Sequence, residues 1–197
     1  MLTFTSRQTR WMGLAGLGGG LLWAIHVFSL MLRSRTDAMP AWAGIVPVLV
    51  AALLLTGLLG FQTSYRKQIG RKGTIGVSLL IASMAAYFLV SALADWLLHD
   101  PFKSVLALLF TILPIPGFIL IGLALKGLAR AGAFLIAVLG LLALVLPSIL
   151  ANLGVADPPW LRGDSPVNLT WGIYFMLAAA WLAVAGYSSY REGQRSV

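Results

Sequence analysis

Residues 38–94 read AMPAWAGIVPVLVAALLLTGLLGFQTSY, then RKQIGRK, then GTIGVSLLIASMAAYFLVSALA. Two charge-free runs, Ala38–Tyr65 and Gly73–Ala94, thus flank a short segment that carries four basic side chains. A helix of about 20 apolar residues crosses the ~30 Å hydrocarbon layer of a membrane. Each of the two runs is long enough to do so. The pattern predicts two membrane-spanning helices joined by a basic loop.

The rest of the chain repeats this arrangement. Four more charge-free runs cover Trp11–Leu32, Ser104–Leu125, Ala131–Ala156 and Ser165–Tyr190. Backbone groups in lipid must be hydrogen-bonded internally, and these runs lack the two-residue alternation of barrel strands. We therefore expect an all-α polytopic membrane protein, a bundle of six transmembrane helices that forms one domain over residues 1–197. The expected helices are residues 11–32, 41–64, 73–98, 102–125, 131–151 and 168–190.

Composition excludes the other broad classes. Hydrophobic residues make up 59% of the chain and charged residues 10%, against roughly 25% charged in a soluble domain. A soluble fold of 197 residues cannot hide that much apolar surface, and a disordered chain would be far more polar. The chain has no cysteine, which excludes disulfides, thiolate metal sites and cysteine nucleophiles.

The basic residues predict the orientation. If the N-terminus is inside, ten of the 14 Lys and Arg residues fall on the inner side, namely Arg7, Arg10, Arg66, Lys67, Arg71, Lys72, Lys126, Arg130, Arg191 and Arg195. Arg33, Arg35, Lys103 and Arg162 then lie outside. Cytoplasmic segments of membrane proteins are enriched in Lys and Arg, so we expect both termini to be inside.

The densest inner cluster is Arg66, Lys67, Arg71 and Lys72. We interpret this cluster as an anchor to anionic lipid on the inner face, and a docking site for a cytoplasmic partner is the alternative. Nucleic acid is not an expected partner, because no basic helix with interleaved aromatic residues is expected to stand in water.

Ionisable residues within a membrane are costly and mark functional sites by default. Asp95 and His99 lie four residues apart, on one face of the third expected helix. By helical rise, His26 on the first helix lies at a depth similar to that of Asp95. The hypothesis is a buried polar pair, His26 with Asp95, that has a proton- or ligand-linked role. The alternative is a structural hydrogen bond near the outer interface.

The fourth expected helix contains Pro114, Pro116 and Gly117 near the middle of its apolar run. Two prolines remove two backbone donors, so the carbonyls of Phe110 and Ile112 lose their usual partners. We expect a helix break that faces the bundle, with water, a bound solute or a nearby hydroxyl satisfying those carbonyls; Thr111, Ser83, Tyr87 and Ser148 are the candidates. A break of this kind serves either as a packing kink or as a transporter site.

The first expected helix carries Gly16 and Gly20, a pair of small residues four apart. Such pairs allow the backbones of two helices to approach closely. We interpret this surface as a packing face, either within the chain or between chains.

Signatures of enzymes are not found in the sequence. No metal site and no cofactor are expected. His26 and His99 form the one pair with which to ligate a haem, but their depths differ by about 8–10 Å by helical rise, which disfavours shared axial ligation. The sequence does not decide whether the chain is an enzyme, and it favours a protein without enzymatic activity.

Three stretches carry a resemblance: Gly18–Trp23 (GGGLLW), Ile69–Gly76 (IGRKGTIG) and Ile121–Gly127 (IGLALKG). On these the chain resembles a loose group of uncharacterised bacterial and archaeal multi-pass membrane proteins of about this length. The resemblance covers most of the chain and implies a prokaryotic source. We therefore expect the chain in the cytoplasmic (inner) membrane of a prokaryote. The resemblance carries no activity with it.

The sequence favours a non-enzymatic structural or accessory component of a membrane assembly, working through helix packing as a homo-oligomer or within a larger complex. The first alternative is a small transporter or permease-like protein that uses the broken fourth helix. The second is a redox or lipid-modifying membrane enzyme, or the anchor subunit of one.

Overall fold

The computed structural model describes residues 5–32, 42–93, 100–153 and 169–195, and regular structure in these ranges is α-helical throughout. The helices are α1 (Ser6–Met31), α2 (Trp42–Leu93), α3 (Asp100–Ile112), α4 (Pro114–Ala124), α5 (Gly127–Asn152) and α6 (Leu169–Arg195). Within the described ranges, five segments are long and apolar enough to cross a membrane; α3 and α4 together make one of them. The predicted class, an all-α membrane protein, is confirmed.

The helices extend beyond the charge-free runs from which they were predicted. Helix α1 begins at Ser6 rather than at residue 11, because Thr5 and Gln8 form a capping box. The Gln8 backbone N–H donates to Thr5 Oγ1 at 3.2 Å, and the Thr5 backbone N–H donates to Gln8 Oε1 at 2.9 Å. Helix α6 likewise continues to Arg195 rather than ending at residue 190. A helix can continue into charged residues at the membrane surface, so the length of a charge-free run underestimates the length of the helix.

The predicted basic loop over residues 65–72 is wrong, because this segment is helical except at Gly70. Gly70 has φ 59° and ψ −162°, a backbone conformation that is essentially restricted to glycine. It divides α2 into two limbs, residues 42–69 and 71–93. Gln62 Nε2 donates to Ser78 Oγ at 3.0 Å, whereas 16 residues of straight helix would separate them by about 24 Å. The limbs therefore fold back on each other.

Sequential segments pack antiparallel around the bundle. The close pairs between them are Met12 with Gly60, Gly19 with Leu53, Gly73 with Ala124, Gly76 with Gly117, Gly122 with Phe134, Gly140 with Ile115, Gly132 with Trp181, and Gly140 with Tyr174. Helix α6 then returns along α1, where Gly13 meets Tyr190, Gly20 meets Ala183 and Met31 meets Gly172. The contact of α6 with α1 closes the bundle.

Three backbones meet at Gly16 of α1. A methyl group built on Gly16 would lie 3.0 Å from Gly57 Cα of α2 and 3.2 Å from Gly186 Cα of α6. A methyl group on Gly20 would lie 2.7 Å from the carbonyl oxygen of Ala179 on α6. Gly16 and Gly20 thus lie on the inward face of α1, within one chain.

The outward face of the bundle is as apolar as its interior. Leu21 and Ile25 of α1 and Leu135 and Leu142 of α5 are exposed, while Val50, Leu54 and Ile121 are fully buried. In water such a surface would drive aggregation, whereas in lipid it is well solvated. The distribution of apolar side chains is that of a protein surrounded by hydrocarbon.

Substituting Gly20→Ala is expected to lower stability by roughly 1–3 kcal/mol, because the added methyl group overlaps backbone atoms of α6 that cannot rotate away. Gly18→Ala is the matched control, since a methyl group on Gly18 meets nothing within 4 Å. Thermal unfolding in detergent, followed by circular dichroism, measures both variants. Equal melting temperatures for the two would contradict the packing role.

Candidate functional site

At the break between α3 and α4, a serine of α2 donates the hydrogen bond that the Phe110 carbonyl would otherwise lack. Pro114 has no N–H to donate to the carbonyl of Phe110, and Ser83 Oγ donates to that carbonyl at 3.0 Å. Ser83 is fully buried. The expectation that a neighbouring hydroxyl satisfies this carbonyl is confirmed for Phe110.

The backbone between α3 and α4 nevertheless keeps helical geometry, so the break is a loss of hydrogen bonding rather than a change of backbone conformation. Leu113 has φ −59° and ψ −32°, which are helical values. Its N–H donates to the Leu109 carbonyl at 3.1 Å, and its carbonyl accepts the N–H of Gly117 at 3.2 Å. Pro114 and Gly117 are buried and Pro116 is partly buried. Gly117 lies against Gly76, so that α4 approaches the second limb of α2 closely.

Aromatic rings fill the space beside the break. Phe110 stacks on Tyr87 with ring centroids 4.5 Å apart and on Phe175 with centroids 5.6 Å apart. Phe175 stacks in turn on Trp171 at 5.6 Å, and Trp23 packs against the side of this stack. The four stacked rings link α2, α3 and α6 into one rigid block.

The cavity at this depth is too small to hold a solute. It has a volume of about 10 Å³ and is lined by apolar side chains, including Trp23, Met84, Pro114 and Phe118. A buried water needs at least that volume and two to four polar partners as well. This narrow, apolar space beside Pro114 is therefore packed dry, and we call it the dry centre.

Two members of the predicted polar group, Asp95 and His99, lie outside the described residues. His26 is buried, with 5% of its surface exposed, and its side chain faces the bundle rather than lipid. The hydroxyl of Ser29 donates to the His26 carbonyl at 2.7 Å. The pairing of His26 with Asp95 and the haem ligation by His26 and His99 stay untested predictions.

Ten of the eleven basic residues in the described ranges lie at one end of the bundle; Lys103, near the start of α3, lies at the other end. The Arg7 and Arg10 end of α1 lies beside the end of α6, where the Arg10 guanidinium sits 5.7 Å from the centre of the Tyr190 ring. The predicted cluster Arg66, Lys67, Arg71 and Lys72 is exposed on both sides of the turn at Gly70. Lys126 and Arg130 flank the turn from α4 to α5. This turn lies next to the Arg66–Lys72 segment, because Gly73 contacts Ala124. We call this the basic end.

A cleft that the sequence did not predict opens at the basic end. It has a volume of about 440 Å³ and lies between α5, α6 and the first limb of α2. Its lining residues are Phe61, Tyr65, Gln68, Leu125, Leu128, Ala129, Gly132, Leu135, Ile136, Leu177, Ala180, Trp181, Val184, Ala185 and Ser188. We call it the inner cleft.

The aromatic side chains of Phe61 and Trp181 form one wall of the inner cleft. The Trp181 ring meets Phe61 edge to face at 5.9 Å and Phe118 at 5.4 Å. Its Nε1–H donates to the Ala129 carbonyl of α5 at 3.2 Å. Phe118 also lines the small dry cavity, so this aromatic layer separates the two spaces. The sequence carries no signal for the cleft, because Ala129 lies 52 residues before Trp181.

The chain was compared with known protein families, curated proteins and solved structures. No family model, no curated protein and no solved structure matches this chain. The fold and its apolar surface define an all-helical membrane protein, and among the residues described no three His, Asp or Glu side chains gather as a metal site would require.

Substituting Ser83→Ala is expected to cost roughly 1–3 kcal/mol, because the buried Phe110 carbonyl loses its donor. In a Pro114→Ala background the cost should be smaller, since residue 114 regains the N–H that a helix donates to Phe110. A double-mutant cycle of thermal unfolding in detergent measures this coupling.

Ser189→Ala is the matched control for that cycle. Ser189 is as fully buried as Ser83, but its hydroxyl donates at 3.0 Å to Ala185 within its own helix. That carbonyl keeps its backbone donor when the hydroxyl is removed. The role of Ser83 is refuted if both serine variants lose equal stability and Pro114→Ala changes neither loss.

Proposed function

We propose that this chain is a six-crossing protein of a prokaryotic cytoplasmic membrane, with both termini inside. In this proposal it serves as a non-enzymatic structural or accessory component of a membrane assembly. The observation that carries the proposal is the dry, aromatic-filled centre beside the α3–α4 break.

The turn in α2 supports six crossings. The segment Gly44–Ala92 is 49 residues long and would extend about 73 Å if straight, more than twice the ~30 Å hydrocarbon thickness. Because it folds back at Gly70, its two limbs count as two crossings. With α1, α3 and α4 together, α5 and α6, the total is six.

The orientation rests on the gathering of basic side chains at one end. The basic end carries the exposed side chains of Arg7, Arg66, Arg71, Lys126 and Arg191. Lys and Arg near membrane surfaces favour the cytoplasmic side and its anionic lipids. The proposal therefore places the basic end inside, with anionic lipid as its nearest partner.

Single cysteines test the orientation in a chain that has none of its own. Gln68→Cys, at the basic end, should resist an impermeant thiol reagent applied to intact cells, and Asn152→Cys, at the opposite end of α5, should react. Both positions are exposed, and permeabilised cells, in which both should react, provide the control. The reverse labelling pattern would overturn the orientation.

The dry centre supports the accessory role over the transporter alternative. A path for a solute through the α3–α4 break would need polar groups facing a hydrated space. At this break Ser83 already satisfies the Phe110 carbonyl, and aromatic rings occupy the space beside it. The break therefore works as a packing joint between α2 and the α3–α4 segment.

Native mass analysis of the protein extracted from its own membrane tests the accessory role. The expected result is an assembly of defined stoichiometry, heavier than the 21.1 kDa chain and cross-linked at the same ratio before extraction. A chain that stays at 21.1 kDa under both treatments contradicts the role. Uptake of a solute by liposomes containing only this chain would instead support a transporter.

A further inference from the structure

We infer that the inner cleft holds one anionic phospholipid, with an acyl chain between the helices and the phosphate at the basic end. The inference deepens the proposed function by naming a lipid partner, and it relies on that proposal for the leaflet that supplies the lipid. It stands on the shape of the cleft, on its opening and on the charges at its rim.

The interior of the inner cleft suits a hydrocarbon chain. Its deeper walls are formed by Leu135, Ile136 and Leu177, and Trp181 forms part of the wall nearer the basic end. Leu177 and Ser188 mark its extent along α6, about 16 Å by helical rise. That length is about half of the ~30 Å hydrocarbon layer, which is the depth of one leaflet. An acyl chain that follows the cleft stays within its own leaflet.

The cleft opens sideways toward lipid. Leu128, Leu135 and Val184 line it and are 92%, 52% and 63% exposed. On α6 the cleft residues Trp181, Val184 and Ser188 lie on the side opposite to the face that packs on α1, because they are offset from Gly186 by roughly half a turn. A lipid can therefore enter from the bilayer without displacing α1.

Polar groups stand at the rim and basic side chains stand beside it. Gln68 and Ser188 line the end of the cleft nearest the membrane surface. Lys67 and Lys126 are exposed and adjoin the cleft residues Gln68 and Leu125 along the chain. The Arg130 guanidinium instead lies 5.6 Å from the centre of the Phe134 ring, away from the cleft. Lys and Arg form strong charge-assisted hydrogen bonds with phosphate. Chemistry of this kind at the rim selects an anionic headgroup, and the apolar interior selects an acyl chain.

The volume of the cleft suits a small ligand. The cleft offers about 440 Å³, within the roughly 300–1,000 Å³ range of small-molecule sites. One lipid chain with its headgroup outside fits this space.

Native mass spectrometry of the full chain in detergent, with phosphatidylglycerol and phosphatidylcholine added in equal amounts, tests the inference. The wild-type protein should retain one phosphatidylglycerol in preference to phosphatidylcholine. Leu135→Trp should retain one lipid fewer, because the larger ring occupies the cleft. Leu142→Trp is the matched control: Leu142 lies one heptad further along α5, is 50% exposed and does not line the cleft.

A charge pair tests the rim separately. Lys67→Gln with Lys126→Gln should weaken phosphatidylglycerol binding about tenfold for each lost contact, with no effect on phosphatidylcholine. Arg71→Gln with Lys72→Gln removes the same charge from the second limb of α2, which contributes no residue to the cleft, and should leave binding unchanged. Equal losses from both pairs, or no difference between the two Trp variants, would overturn the inference.

This test is independent of the proposed function. Lipid retention in detergent does not depend on which side of the membrane the basic end faces. If cysteine labelling reverses the orientation and the lipid results hold, the cleft is a lipid site in the outer leaflet and the proposed function fails alone. If labelling agrees and the lipid results fail, the function stands without this partner.

Discussion

The close approach of three backbones at Gly16 is the constraint on which the bundle depends. Gly16, Gly57 and Gly186 belong to α1, α2 and α6, and no Cβ atom separates them. Lipid gives no hydrophobic force that drives helices together, so this contact relies on dispersion between closely packed backbones. The position of α1 fixes α2 on one side and α6 on the other, and α6 in turn positions Trp181 and Phe175. The inner cleft and the aromatic stack both inherit their geometry from this crossing.

Hydroxyl groups in this protein mostly serve the helix that carries them. Thr56, Thr63 and Ser188 each donate to a carbonyl four residues earlier in the same helix, so they add little to the contact between helices. Ser83 differs, because it donates across to Phe110 of a neighbouring helix. The exception occurs where a proline has left a carbonyl without its helical donor. This hydroxyl contact between helices is thus tied to a specific backbone defect.

The class of fold was predictable from the sequence because apolar runs and backbone hydrogen bonding leave few structures for a chain in lipid. The serine beside the break was predictable for the same reason, since a buried carbonyl needs a donor. A reversal of the chain between residues 65 and 72 was predictable, but its tightness was not, because a segment with four charges resembles a longer loop unless the positive φ of Gly70 is known. The inner cleft was not predictable either. It arises where Trp181 reaches across to Ala129 beside small residues, and that depends on how α5 and α6 are spaced in three dimensions.

The contact of α1 with α6 also has a consequence for biosynthesis. Gly20 meets Ala183, a residue made 163 positions later on the ribosome. At roughly 5–20 residues per second, about 8–33 seconds of translation separate the two. During that interval the face of α1 that carries Gly13, Gly16 and Gly20 has no α6 to cover it. The nascent helix must be shielded by lipid or by the insertion machinery, and any other helix with a small-residue face competes for it before α6 arrives.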